Sequence, residues 1–111
     1  MTAVPPALRV MTTRAGAQVV VALAGELDLA SAPFLLERLS SLDGGGSRPA
    51  RVLIDAGSLT FIDVAGVRAL CALADALAAA GTSVALRRST PQLDRLLRLL
   101  GIGPGLVPGR S

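Results

Sequence analysis

Two short acidic stretches are the places where this sequence could hold chemistry. One is Gly25-Glu26-Leu27-Asp28, and the other is Asp63 within Phe61-Ile62-Asp63-Val64-Ala65-Gly66. Each lies where a strand-like run gives way to a helical one. Such corners often hold a nucleophile or a phosphate. In open α/β sheets they gather at one edge. Two carboxylates there could act as a general acid and base. With a phosphate they could also hold magnesium, though that ion wants more oxygen ligands than these corners supply. Asp63 has a plainer role open to it as the N-cap of a helix starting at Val64, where its carboxylate accepts from backbone N–H groups and meets the positive end of the helix dipole. Capping is the stronger reading, because the rest of a catalytic apparatus is missing. The sequence has no histidine, and Cys71 is its one cysteine. There is therefore no Ser-His or Cys-His dyad, and a single thiol makes a poor metal site. No metal and no cofactor is expected.

The elements that would position these corners follow from pattern. Leu8 to Met11 reads as a short strand, and Thr12 to Ala17, with Gly16, as a hairpin turn. Val19-Val20-Val21-Ala22-Leu23 is a continuous run that predicts a strand covered on both faces and ended by Gly25. Ser31-Ala32-Pro33 signals a helix start with a hydroxyl cap. Leu35, Leu39 and Leu42 carry that helix forward, and Gly44-Gly45-Gly46 stops it. No Gly-Lys-Ser/Thr follows those glycines, so they form no phosphate loop. Arg51 to Asp55 is a strand, with Ser58 and Thr60 in or near its end. Val67, Leu70, Cys71, Ala74, Leu77 and Ala78 draw an apolar helical stripe. Ser83 to Leu86 is a strand. Thr90-Pro91 caps a last helix with Leu93, Leu96, Leu97 and Leu100 inward and Gly101 as its stop. The order β-β-α-β-α-β-α predicts an α/β fold with parallel pairs joined by right-handed crossovers. Val20, Leu53, Ile54, Leu70, Leu77, Val84, Leu96 and Leu97 are the expected core.

Composition narrows the function classes. With 111 residues, the chain is one domain. It is 51% hydrophobic but only 2% aromatic, so Leu, Val and Ala fill the core. The net charge of +3 comes from arginine alone, with no lysine. These arginines are scattered rather than striped, which argues against nucleic acid. No apolar run is long enough to cross a bilayer. Met1 to Val10 does not read as a signal peptide, so a cytoplasmic protein with no membrane insertion is expected.

The stretches "VALAGELDLASAPFLLERL", "RVLIDAGSLTFIDVAGVRAL", "GTSVALRR" and "LDRLLRLLGI" resemble the STAS domain, and more narrowly the bacterial anti-sigma factor antagonists. The resemblance runs from about Val19 to Ile102. It implies a mixed sheet of four to five strands covered by helices. Residues 8–102 would form the domain, 1–7 a loose N-terminus, and 103–111 a Gly/Pro-rich tail or a short edge strand at Leu106-Val107. It also implies a role without an active site. Antagonists of this type bind an anti-sigma factor, usually a histidine-kinase-like ATPase, and so free a sigma factor. The partner can switch them off by phosphorylating a Ser or Thr just after the corner Asp. Here that position is Val64, followed by Ala65, and neither has a hydroxyl. Ser58 and Thr60 lie upstream and are poor substitutes.

Three readings stay open at this point. The first is an antagonist not switched by phosphorylation at Val64. The second is a STAS module in another assembly, as a scaffold of a signalling complex or the small cytoplasmic subunit of a lipid transporter. The third is an enzyme using Asp28 and Asp63, which the missing nucleophile, histidine and phosphate loop disfavour. For a binding role the expected contacts are Asp63, Val64, Ala65, Gly66 and Arg68. Gly25, Glu26 and Asp28 form a second corner. Arg68 falls off the apolar stripe and should be exposed.

Overall fold

The structure is a computed structural model, and it describes residues 7–40, 48–103 and 106. Seven elements follow in the expected order: β1 (Leu8–Ala15), β2 (Gln18–Leu27), α1 (Ala32–Ser40), β3 (Arg51–Ile62), α2 (Val64–Ala79), β4 (Ser83–Arg88) and α3 (Pro91–Leu100). The four strands lie in one sheet in the order β1-β2-β3-β4. β1 and β2 form an antiparallel hairpin, while β2–β3 and β3–β4 are parallel. The fold is therefore mixed α/β, as the alternation of strands and helices predicts.

The strand order decides which face is covered. α1 carries the chain from β2 to β3, and α2 carries it onward from β3 to β4. Both crossovers advance the same way, so right-handed connections put both helices on one face. Burial agrees. Leu8 and Val10 of β1, Val19, Val21 and Leu23 of β2, and Val52, Ile54 and Ala56 of β3 form the buried face. α1 packs on α2, and α3 packs on α2 and β3. The alternate residues Val20, Ala22, Leu53 and Ala85 are only half-buried. This corrects the expectation that β2 is covered on both faces, and it takes Val20 and Leu53 out of the core. Ile54, Leu70, Leu77 and Leu97 are buried as expected. Val84 and Leu96 are half-buried and pack against the core from its rim.

Several boundaries differ from the pattern-based ones. β1 continues through Ala15, and the hairpin turn is only Gly16-Ala17. β2 passes through Gly25 to Leu27. β3 is twelve residues long rather than five. It absorbs Gly57 by a register shift against β2, with the Asp55 carboxylate accepting from the Gly57 N–H at 3.1 Å. In α2 the buried stripe is Val67, Ala69, Leu70, Leu73, Ala74 and Leu77, with Ala78 exposed. In α3, Leu93 and Leu97 are buried and Leu100 is exposed. Leu106 is fully buried but belongs to no strand. The expectations for residues 1–6, for Leu42 and the 44–46 glycines, and for Val107 and the end of the tail lie outside the described residues.

Candidate functional site

The two acidic corners are neighbours, because β2 and β3 are parallel and end side by side. Glu26 stands opposite Phe61, and Leu27 opposite Ile62. The Asp63 N–H donates to the Leu27 carbonyl at 3.4 Å, tying one corner to the other. The Thr60 hydroxyl adds a second tie by donating to the Gly25 carbonyl at 3.1 Å.

Both carboxylates are engaged by their own backbone. Asp63 has extended dihedrals, φ −117° and ψ −175°, and its Oδ1 accepts from the Gly66 N–H at 2.9 Å. It is the N-cap of α2, as its place before Val64 predicts. Asp28 forms a reciprocal box with Ser31. Asp28 Oδ1 accepts from the Ser31 N–H at 3.0 Å, and the Asp28 N–H donates to Ser31 Oγ at 3.0 Å. Ser31 Oγ also donates to the Glu26 carbonyl at 2.8 Å. The Ser31 hydroxyl therefore turns back to hold the corner instead of capping α1 forward, as the sequence suggested. Among the described residues no group of three or more Cys, Asp or Glu side chains is placed to hold a metal ion.

Two glycines set how closely the corner packs. Gly25 has φ +96°, and a Cβ there would strike the Ala7 carbonyl oxygen. Gly66 is buried, and a Cβ on it would strike the Leu27 carbonyl oxygen. Gly66 is among the contacts expected for a partner. The backbone that approaches it is the chain's own, and this is what seats the first turn of α2 on the end of β2.

Of the expected contacts, Val64 and Arg68 are exposed, while Asp63 and Ala65 are half-buried. Glu26 is exposed, and Gly25 and Asp28 are half-buried. The structure adds two residues that pattern reading missed. Leu29 is 76% exposed just past the Asp28 corner, and Phe61 is 41% exposed just before Asp63, beside Val64 at 39%. Phe61 is one of only two phenylalanines in the chain. Nothing in its local pattern marks it as the exposed one. Exposed Glu26 is the register partner of Phe61, which puts a charge next to this aromatic residue.

α3 holds this end of the sheet from the other side. β3 outlasts β4, whose last paired residue is Arg88, opposite Asp55. The Gln92 side chain takes up the slack. Its Nε2 donates to the Ile62 carbonyl at 2.7 Å, and its Oε1 accepts from the Ile62 N–H at 3.3 Å. A side-chain amide thus does at Ile62 what a neighbouring strand would do. Nothing in the sequence marked Gln92 for this task.

Cys71 lies half-buried on α2, packed against the core. Burial pushes its thiol above the ordinary cysteine value, and the nearby Asp75 carboxylate adds to the shift. A reactive cysteine needs the opposite environment.

Comparison with known proteins agrees with this fold. The family profile described as "Mlab, STAS domain" matches residues 10–108. An anti-sigma factor antagonist from Mycobacterium paratuberculosis superposes with a TM-score of 0.70 at 24% identity, covering 90% of this chain and 83% of that one. The anti-sigma factor antagonist SpoIIAA in its unphosphorylated form gives 0.72 at 19%, covering 93% and 89%. The Bacillus cell fate determinant SpoIIAA in its phosphorylated form gives 0.67 at 20%, covering 93% and 92%. At these identities the likeness is one of fold. No curated protein matches the chain.

Proposed function

Since the chain belongs to the STAS domain family, we propose that it is an anti-sigma factor antagonist whose docking surface is the β2–α1 and β3–α2 corner. Its partner is an anti-sigma factor of the histidine-kinase-like ATPase type, bound in the cytoplasm, and that binding releases a sigma factor. The observation that carries this reading is the exposed hydrocarbon at Val64, Phe61 and Leu29 on the paired strand-to-helix corners, whose two carboxylates both accept from backbone N–H groups. Such a surface suits protein binding better than proton transfer. No described helix is long and apolar enough to cross a membrane.

Val64 stands where the resemblance puts the phosphoacceptor, and it has no hydroxyl. The antagonist is therefore not switched at this position. Thr60 is a poor substitute, because its hydroxyl is already bonded to the Gly25 carbonyl. A phosphate on residue 64 would sit at the α2 N-terminus, where the domain tolerates it. It would also add up to about two negative charges beside Asp63, repelling a partner fitted to the neutral form.

Titration of the full chain against an anti-sigma ATPase, with and without ATP, tests the reading. Wild type should keep its affinity over time in ATP. Val64→Ser should weaken binding by about 0.8 kcal/mol without ATP, the value of roughly one methylene. With ATP it should acquire phosphate by mass spectrometry and lose affinity progressively. Val64→Asp should weaken binding at least about tenfold, by burying an unpaired charge. If Val64→Asp binds as well as wild type, the corner is not the docking surface.

A further inference from the structure

We propose that β1 is a self-pairing edge, through which two copies of this chain join their sheets by antiparallel β1–β1 contact. The proposal is independent of the anti-sigma reading.

The backbone directions fix which groups are on offer. Glu26 N–H donates to the Ala7 carbonyl at 2.8 Å, so Ala7 and Glu26 form a hydrogen-bonded pair. Such pairs alternate along an antiparallel ladder. Arg9, Met11, Thr13 and Ala15 therefore bond inward to β2, while Leu8, Val10, Thr12 and Arg14 turn their N–H and C=O groups outward. The Arg38 guanidinium confirms the direction, because it reaches the Val10 carbonyl at 3.2 Å from outside the sheet. That carbonyl can still accept a second bond.

Edge strands are usually blunted by shortness, charged side chains, proline, a bulge, an inward-pointing charge or a covering element. Of these β1 has only the charges, Arg9 and Arg14 on the strand and Arg38 on the Val10 carbonyl. β1 is eight residues long, has no proline, and pairs with β2 without a register shift. Met11, at its middle, is 70% exposed. A groove of about 750 Å³ reaches from Met11 and Arg38 at this edge inward to Ala22 and Ala24 of β2 and Ser58 of β3.

Self-pairing has one register that uses this edge best. Outward-facing residues must oppose outward-facing residues, so the two residue numbers in each pair must add to an even number. A sum of 22 opposes residues 8 through 14 of both copies. Leu8 then meets Arg14 of the second copy, Val10 meets Thr12, and Arg9 meets Thr13. No two arginines face each other, whereas sums of 18 and 28 would set Arg9 on Arg9 and Arg14 on Arg14. Met11 falls on the two-fold axis in a non-hydrogen-bonded pair, where side chains come closest. The most exposed apolar side chain of the strand is thus covered by its own copy. The same patch serves both subunits, as a two-fold contact requires. The result is a continuous eight-stranded sheet. Seven paired residues a side make a small interface, so the dimer is weak and concentration-dependent.

Sedimentation velocity of the full chain over a concentration series tests this, together with two variants. Wild type should shift from monomer to twice that mass as concentration rises. Thr12→Pro removes only an outward N–H, so the β1–β2 ladder and the circular dichroism melt should survive while the shift is lost. Met11→Cys in a Cys71→Ala background should give a covalent dimer on mild oxidation, because non-hydrogen-bonded pairs bring Cα atoms to about 4.5 Å. Thr13→Cys in the same background, opposite Arg9, should not. A wild type that stays monomeric throughout overturns the proposal. So does a dimer indifferent to Thr12→Pro, or one that cross-links equally from residues 11 and 13.

Discussion

Asp63 and Gly66 act together, one holding the first turn of α2 by a hydrogen bond and the other letting it lie against β2. They should fail differently. Asp63→Ala loses a cap and should lower stability in urea by about 1 kcal/mol. Gly66→Ala must push a methyl group into the Leu27 carbonyl, which backbone cannot yield cheaply. A cost of about 1–3 kcal/mol is expected, since forced insertions into packed sites fall in that range. If Gly66→Ala melts like wild type, α2 is not seated as described. Cys71 offers a pH-linked test. Its thiol is shifted up by burial and by Asp75, so at pH 8 less of it is thiolate than in a free peptide. A neutral thiol reagent should label it more slowly than the peptide, and Asp75→Asn should speed the labelling. The neutral thiol is the form favoured by the fold. Its contribution to stability is present below the unfolded-state value and fades as pH rises through the folded one.

The elements were legible where periodicity was long and unbroken. α2 and α3 announce themselves by Asp63, Thr90-Pro91 and Gly101, and both N-caps are in place, Thr90 accepting from Leu93 N–H at 3.2 Å. β3 was harder. Gly57, Ser58 and Thr60 look like the end of a strand, because a local rule cannot see that Asp55 folds back on Gly57 and lets pairing resume at Ser58. Of the site, the two carboxylate corners and the missing hydroxyl at Val64 were readable. Leu29, Phe61 and Gln92 were not, since exposure and long-range bonding depend on which elements happen to lie alongside. Gln92 makes the point testable. Gln92→Ala strips both backbone groups of Ile62 of their partner, and about 1–3 kcal/mol of stability should go with them. Amide exchange should quicken at Ile62 before it quickens in β2. Exchange that is unchanged there would mean that water replaces the amide without loss.

At the scale of the whole molecule the covered and uncovered faces of the sheet make the sharpest contrast. Val21 is fully buried, whereas Val20 beside it is only half-buried. Val21→Thr places a hydroxyl in the core with no partner, at a cost of about 1–3 kcal/mol. Val20→Thr places it toward solvent and should stay within about 0.5 kcal/mol of wild type. Equal losses at both positions would show that something covers the second face.

That one-sided covering also sets how the sequence can drift. Along β2 as far as Leu23 and β3 as far as Ala56, every second position answers to the packing of the helices, and the ones between answer mainly to water. A saturation library scored for folding should therefore show tolerance in a beat of two along both strands. The beat should be lost past the bulge at Gly57, and at the corner it should give way to fixed single positions, where Asp63 bonds the Leu27 carbonyl, Gly66 lies against it and Gly25 lies against Ala7. The chain can thus change the open side of its sheet over many generations without disturbing the corner proposed as its docking surface.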